Sequence, residues 1–377
     1  MNDILYTIIM AGLWIANLFN GTGLGAAYQT TEKLRLIIFL LCIVIFLISS
    51  KKGQEYIVKR DFLIFSCMLC VFVFSSYLQG YARTGLHYLY VFALIYILSK
   101  MKVSAKAVRL TGEVYLIFGI AVLYIFDYGS IFSGWNPNTI GMIGLYSYLI
   151  FLIPFYNSHK NIFSKLFLIV VTFIYMFLIE PTDSRSCTWF AIIAMLVVLS
   201  IIPKAVIVKT NKKYLWILLI PLFVAIVVVT ISKGDYMQTL DLWSMEKFQK
   251  PLFNGRDVLW EKGFQVLFQN SIFGIGSLEG NWHNCMIGIL VAYGVVGGLL
   301  WILALNIIIK RGENWLSDII VPGCIISFFI MYIQQSVELG LVHESPNLLP
   351  YIVLGIMLGR INYLKNTNLL LEEMEEK

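Results

Sequence analysis

Residues 214–231 read YLWILLIPLFVAIVVVTI, and residues 285–309 read CMIGILVAYGVVGGLLWILALNIII. Neither run carries a charge, and each matches the roughly 20 apolar residues that a helix needs to cross a hydrocarbon layer. Similar runs begin near Ile4, Leu34, Phe62, Leu86, Val114, Thr139, Phe163, Thr188, Ile319 and Leu348, which predicts about twelve spans in all. The runs are long and continuous rather than alternating, which excludes a β-barrel. Charged residues make up 13% of the chain and the mean hydropathy is +0.80. A soluble domain carries about 25% charge, so the expected class is an all-α polytopic membrane protein with one large external loop that contains short helices.

The 28 Lys and Arg residues sort by side once the spans are drawn. Nineteen fall in one alternate set of loops, among them Lys51, Lys52, Lys100, Lys204, Lys212, Lys310 and Arg360, and nine in the other, among them Arg83, Arg185, Lys250 and Arg256. By the positive-inside rule both termini are cytoplasmic, and the net charge of +6 reflects topology rather than affinity for nucleic acid. No cationic segment precedes the first span, so no cleaved signal peptide is expected. The chain divides into spans 1–9 over residues 1–231, an external loop over 232–284, spans 10–12 over 285–364, and a cytoplasmic tail over 365–377 that ends in acidic residues.

Six cysteines lie in or beside apolar runs. Cys67 and Cys70 have the spacing of a metal or redox pair but sit in mid-span, where they read as small apolar filler. Cys187 and Cys285 fall at external span ends and can pair, though nothing in the sequence requires it.

The external loop has an order of its own. Tyr236, Met237, Leu240, Trp243 and Phe248 interleave with Asp235, Asp241 and Lys247, as in a helix lying in the interface. Asn254 is a candidate N-cap for a second helix from Arg256 to about Phe268, with Val258, Leu259, Phe264, Leu267 and Phe268 as its apolar face. Gly274 and Gly276 make a turn, His283-Asn284 lead into the next span, and Gly288, Gly294, Gly297 and Gly298 permit close packing there.

Two external arginines suit phosphate oxygens, because the guanidinium fork matches them. Arg185 starts a span and Arg256 starts the loop helix, where the dipole also favours anions. Each has a plainer role open to it, pairing with Asp183 or Asp257. Arg83, before the fourth span, serves equally as an anion ligand or as an interfacial anchor. Of the four histidines, His283 sits at a span mouth, where an imidazole either takes a proton from a hydroxyl or simply hydrogen-bonds at a helix start. His343, with Glu344 and Glu338, makes a second external acid–imidazole group; a zinc site from His283, His343 and a Glu has no ligand spacing behind it. Trp135, Asn136 and Asn138 form a loop-to-helix entry. Asn138 or Thr139 can cap that helix, and Asn and Trp side chains also suit sugars.

Taken in order, Asn136-Pro137-Asn138, Ser184-Arg185-Ser186, Asn254-Gly255-Arg256, Trp260, Phe273-Gly274-Ile275-Gly276 and His283-Asn284 before a glycine-rich helix resemble the O-antigen polymerase and O-antigen ligase superfamily. The resemblance covers about the last two-thirds of the chain. It departs at Gln269–Phe273, where a proline is expected before the glycine turn, and at Ser186. It implies a membrane glycosyltransferase in the bacterial cytoplasmic (inner) membrane that joins undecaprenyl-diphosphate-linked oligosaccharide repeat units at the outer face. Arg185 and Arg256 would hold the donor diphosphate, and His283 would orient or deprotonate the attacking hydroxyl. Asn284, Asn138, Trp135, Arg83, His343 and Glu344 would contact substrate. No metal or soluble cofactor is implied, and a chain-length regulator and a flippase are the implied protein partners. A ligase that moves the glycan to lipid A core is the near alternative; a flippase for the same lipid and a noncatalytic scaffold are alternatives of other classes.

Overall fold

The computed structural model describes residues 2–21, 59–80, 82–128, 136–157, 161–204, 208, 213–234, 236–278, 280–343 and 346–375. Among these the chain is all-α, without strands. The helices are α1 (Asp3–Gly21), α2 (Lys59–Leu78), α3 (Ala82–Lys100), α4 (Ala105–Tyr128), α5 (Pro137–Leu152), α6 (Ile162–Ile179), α7 (Arg185–Val198), α8 (Lys213–Ile231), α9 (Tyr236–Phe248), α10 (Arg256–Gln269), α11 (Cys285–Lys310), α12 (Val321–Gln334) and α13 (Leu349–Glu375). Every apolar run within the described residues forms a helix; the run from Leu34 lies outside them. Five helices are long and apolar enough to cross a membrane, in α4, α5, α6, α8 and α11, and shorter apolar helices accompany them.

One continuous core joins these helices, with α5, α11 and α12 buried along most of their length and α13 buried from Leu349 to Asn362. By contrast α6 leaves Phe163, Phe173 and Phe177 exposed and α8 leaves Trp216 and Phe223 exposed. Apolar outer faces of this kind suit helices that meet lipid. Helix ends follow local chemistry. Pro137 at the first turn of α5 makes Asn136 the N-cap, and its side chain accepts from the amide of Asn138 at 3.0 Å, so neither Asn138 nor Thr139 caps that helix. At the opposite end of α12 from the site described below, buried Arg360 pairs with Asp318 at 2.7 Å, and Asp318 Oδ1 caps the amides of Ile320 and Val321. Burial opposes ionisation of Asp318, but the Arg360 hydrogen bonds and these amides outweigh it and hold the carboxyl below its usual range.

The loop between α8 and α11 is more deeply built in than a surface loop. Helix α11 is interrupted at Gly294, whose φ of 66° and ψ of −172° are non-helical. A break in an apolar helix frees carbonyls and amides that must find partners. The turn at 271–276 supplies them. The amides of Ile275 and Gly276 donate to the carbonyls of Val291 and Ala292 at 2.9 and 2.8 Å, while the amides of Val295 and Val296 donate to Ser271 and Ile272 at 2.8 and 3.4 Å. Ser75 of α2 closes the join by donating to the carbonyls of Phe273 and Ala292. Thus Gly294 marks a break that the loop fills, whereas the sequence suggested only close packing.

Gly294 lies in a region of backbone space that is essentially reserved for glycine, and a Cβ there would fall inside the carbonyl of Ile272. Gly294→Ala is therefore expected to lower thermal stability in detergent by more than the roughly 1–3 kcal/mol of backbone strain alone. Gly12→Ala, where nothing lies within 4 Å of the new methyl, should be neutral or stabilising. Equal melting temperatures for Gly294→Ala and its parent would show that the break is not required.

Candidate functional site

Helix α9 buries Met237 and Ser244 and exposes Leu240, Leu242, Trp243 and Met245, as suits a helix at an apolar–polar boundary. The chain then folds back on it: Ser244 donates to the carbonyl of Lys250, and the amide of Leu252 donates to Asp241, both at 2.8 Å. Asn254 and Gly255 are both left-handed, with φ of 52° and 76°. The helix-capping position falls on Gly255 and not on Asn254, so no side chain caps α10. The packed face of α10 is in part the one its sequence suggested, since Leu259, Phe264 and Leu267 pack against the core. Trp260 and Gly263 are buried while Val258 and Phe268 are exposed. Trp260 packs with Ala225, Trp282, Ile287 and Val291, and its indole donates to the carbonyl of Trp282 at 2.6 Å. This contact fixes the start of α10 beside His283.

Glu338 is the hub of the group that results. It follows α12 by four residues, and its side chain is only 5% exposed. Arg256 donates through Nη2 to Glu338 Oε1 at 3.2 Å, Ser186 donates to the same oxygen at 3.3 Å, and His283 Nδ1 lies 3.7 Å from Oε2. The plainer pairings do not form: Arg256 pairs with Glu338 in place of Asp257, and Asp183 pairs with Lys250. Burial pushes the Arg256 guanidinium below its usual range. Glu338 opposes that shift and the charge of Arg185 adds to it.

Three helix N-termini therefore meet here, those of α7 at Arg185, α10 at Arg256 and α11 at Cys285. Neither Ser184 nor Gly255 gives a side-chain cap to the first two. Their dipoles favour an anion, and Arg256 Nε, His283 Nδ1 and Ser336 Oγ are buried without a hydrogen-bond partner. His283 is itself held at a φ of 48°, a left-handed conformation that costs a non-glycine residue about 1–2 kcal/mol. It is not the cap of α11. Asn284 is, accepting from the amides of Met286 and Ile287 at 3.0 and 3.1 Å.

The amide group of Asn284 also donates to the carbonyls of Pro221 and Ser336 at 2.8 and 2.9 Å. With both its oxygen and its nitrogen engaged and its surface 1% exposed, Asn284 supports the site and has no valence left for a substrate, which corrects its expected role. The bond to Pro221 also sets the depth. Pro221 lies ten residues before the end of α8, about 15 Å along the helix. Helices α7 and α12, which meet the site at opposite ends, have 14 residues each, about 21 Å against a hydrocarbon layer of roughly 30 Å. The charged group thus sits within the depth of the bundle.

The remaining expected residues are spread around it. Asn138 is half-buried on the first turn of α5, one turn from Gly141, which faces Thr182, Ser184 and Cys187. His343 follows Val342, which packs on Gly288 at the start of α11. Arg83 lies on the first turn of α3, its side chain outside the described part, and Trp135 and Glu344 lie outside the described residues. Cys187 and Cys285 are buried free thiols and do not pair. Among the described residues no three His, Cys, Asp or Glu side chains gather as ligands for a metal.

Sequence reasoning placed Glu338 with His343 and missed its contact with Arg256 and His283. The available signal was Gln334-Gln335, two amides closing an otherwise apolar span, which must be satisfied by polar partners nearby. No protein-family model, curated protein or solved structure matches the chain. What the fold and the group define, among the described residues, is an all-α protein with helices long and apolar enough to cross a membrane and a partly buried cationic–imidazole cluster around a buried carboxylate.

Proposed function

We propose that the protein is a membrane glycosyltransferase of about twelve spans that joins undecaprenyl-diphosphate-linked oligosaccharide repeat units at the outer face of the bacterial cytoplasmic membrane. The observation that carries this proposal is the convergence of Arg256 and His283 on Glu338, at 3.2 and 3.7 Å, with Ser186, the neighbour of Arg185, 3.3 Å from the same carboxylate. In this mechanism the two guanidinium groups bind the donor diphosphate and offset the negative charge that grows on it as it leaves. Glu338 Oε2, 3.7 Å from His283 Nδ1, faces that side of the ring and stabilises its charged form, while Nε2 takes the proton of the attacking sugar hydroxyl. The new glycosidic bond forms as the anomeric carbon–phosphate oxygen bond breaks.

A transporter would place ionisable groups along a path through the bundle. Among the described residues the buried charged side chains lie instead at the two ends of α12, Asp318 and Arg360 at one and Glu338 at the other. That arrangement supports an enzyme. Purified protein given the lipid-linked repeat unit should build a ladder of products; repeat units left unjoined would end the polymerase proposal. In cells lacking the gene, a glycan stopped at one unit distinguishes a polymerase from a ligase, whose loss leaves long unattached chains.

The orientation has a separate check. A cysteine replacing exposed Glu246 on α9 should react with a membrane-impermeant thiol reagent in intact cells or spheroplasts, above the background of the parent chain. Reaction only after lysis would reverse the topology and move the site to the cytoplasmic face.

A further inference from the structure

Behind Glu338 runs a chain of buried hydrogen bonds with a single sense. The amide of Leu341 donates to Gln335 Oε1 at 2.7 Å, which fixes the orientation of that side chain. Gln335 Nε2 is thereby turned toward Tyr146 Oη and Gln334 Oε1, each at 2.7 Å. Tyr146, already an acceptor, has one proton to give, and of its two acceptors, Gln334 Oε1 at 2.8 Å and the Met331 carbonyl at 3.3 Å, the Gln334 oxygen is the nearer. Flipping Gln334 would set its NH₂ against that of Gln335, donor against donor. Gln334 must therefore aim Nε2 at Ser186 Oγ, 3.3 Å away. Ser186 has two acceptors for its one proton, Ser184 Oγ at 3.5 Å and Glu338 Oε1 at 3.3 Å, and the carboxylate, nearer and charged, takes it. Tyr146, Gln334 and Gln335 are fully buried, and polar groups in such surroundings are expensive unless each is satisfied.

We propose that Ser186, Gln334 and Tyr146 are positioning residues that act through Glu338. The chain of donors ends on Oε1 and shares it with Arg256 Nη2 at 3.2 Å. With Oε1 held from two sides, Oε2 is the oxygen presented to His283. The chain works as a latch on the carboxylate and touches no substrate. The proposal rests on the transferase mechanism above, in which Glu338 orients the imidazole.

The test is a double-mutant cycle on the purified full-length protein, measured as steady-state polymer formation from the lipid-linked repeat unit. Ser186→Ala should lower kcat about ten- to a hundredfold, the range for one lost hydrogen bond to a charged group, with KM unchanged. Ser186→Thr, which keeps the hydroxyl, should recover most of the rate. In a Glu338→Gln background, adding Ser186→Ala should change the rate less than about twofold, because the group it acts through is gone. If Ser186→Ala costs the same factor in both backgrounds, or if Thr fails to restore the rate, Ser186 does not work through Glu338. If Glu338→Gln and His283→Ala both run at the parental rate, it is the transferase mechanism that fails.

Discussion

Arg256→Ala is expected to lose about 10²–10³-fold in polymer-forming rate, the range seen when one fixed donor to a developing anion is removed. The loss has two sources that can be separated. Truncation removes a guanidinium from the leaving diphosphate, and it also strips buried Glu338 of its ion partner. Breaking a buried pair on one side destabilises a protein by about 3–5 kcal/mol, so the variant should also melt earlier. Pairing Arg256→Ala with Glu338→Gln removes the stranded charge and should restore much of the stability while leaving the enzyme dead. Arg256→Lys should regain only part of the rate, since an ammonium lacks the planar fork that meets Glu338 and a phosphate together. A stable, fully active Arg256→Ala protein would remove this residue from the site.

The elements that can be read from the sequence are those that lipid dictates. Runs such as 214–231 and 285–309 have to be helical, because a backbone in an apolar layer has no other way to satisfy its polar groups. The start of α10 at Arg256 follows likewise from Asn254-Gly255, a pair that turns a chain readily. A neighbour decides the cap of α5: Pro137 moves it from Asn138 to Asn136, and that signal is present in the sequence. Other features have no local signature. Nothing in the spelling of Val291–Val296 announces a break at Gly294, because the groups it frees are answered by residues 271–276, some twenty positions earlier in the chain. Glu338 meets Arg256 across a separation of 82 residues, and only the depth of both in the bundle makes that pairing necessary.

The site shows the same division. Arg185, Arg256 and His283 are conspicuous in sequence because each interrupts apolar surroundings, and the fold brings Arg256 and His283 to one carboxylate, Glu338. Asn284 is equally conspicuous, yet all of its polarity is spent on Pro221, Ser336 and the first turn of α11. Conspicuous polarity beside a span thus has two uses, holding the backbone and meeting a ligand. Only the count of engaged donors and acceptors separates them.

That count sharpens what is expected of His283. Because Asn284 caps α11, a merely structural role for His283 reduces to filling a left-handed backbone position. Asparagine tolerates that conformation better than most residues and keeps a hydrogen-bonding side chain. His283→Asn should therefore fold at least as well as the parent, with an unchanged or slightly raised melting temperature. If Nε2 takes the proton of the attacking hydroxyl, the same variant should lose about 10²–10⁴-fold in rate, and His283→Ala and His283→Gln should fall with it. Binding of the lipid-linked donor should persist in all three, since the guanidinium groups remain. The decisive measurement is the rate of polymer formation at saturating donor, set beside the melting curve of the same preparation. A well-folded His283→Asn protein that turns over normally would leave Arg185 and Arg256 as an anion site and would take proton transfer away from the imidazole.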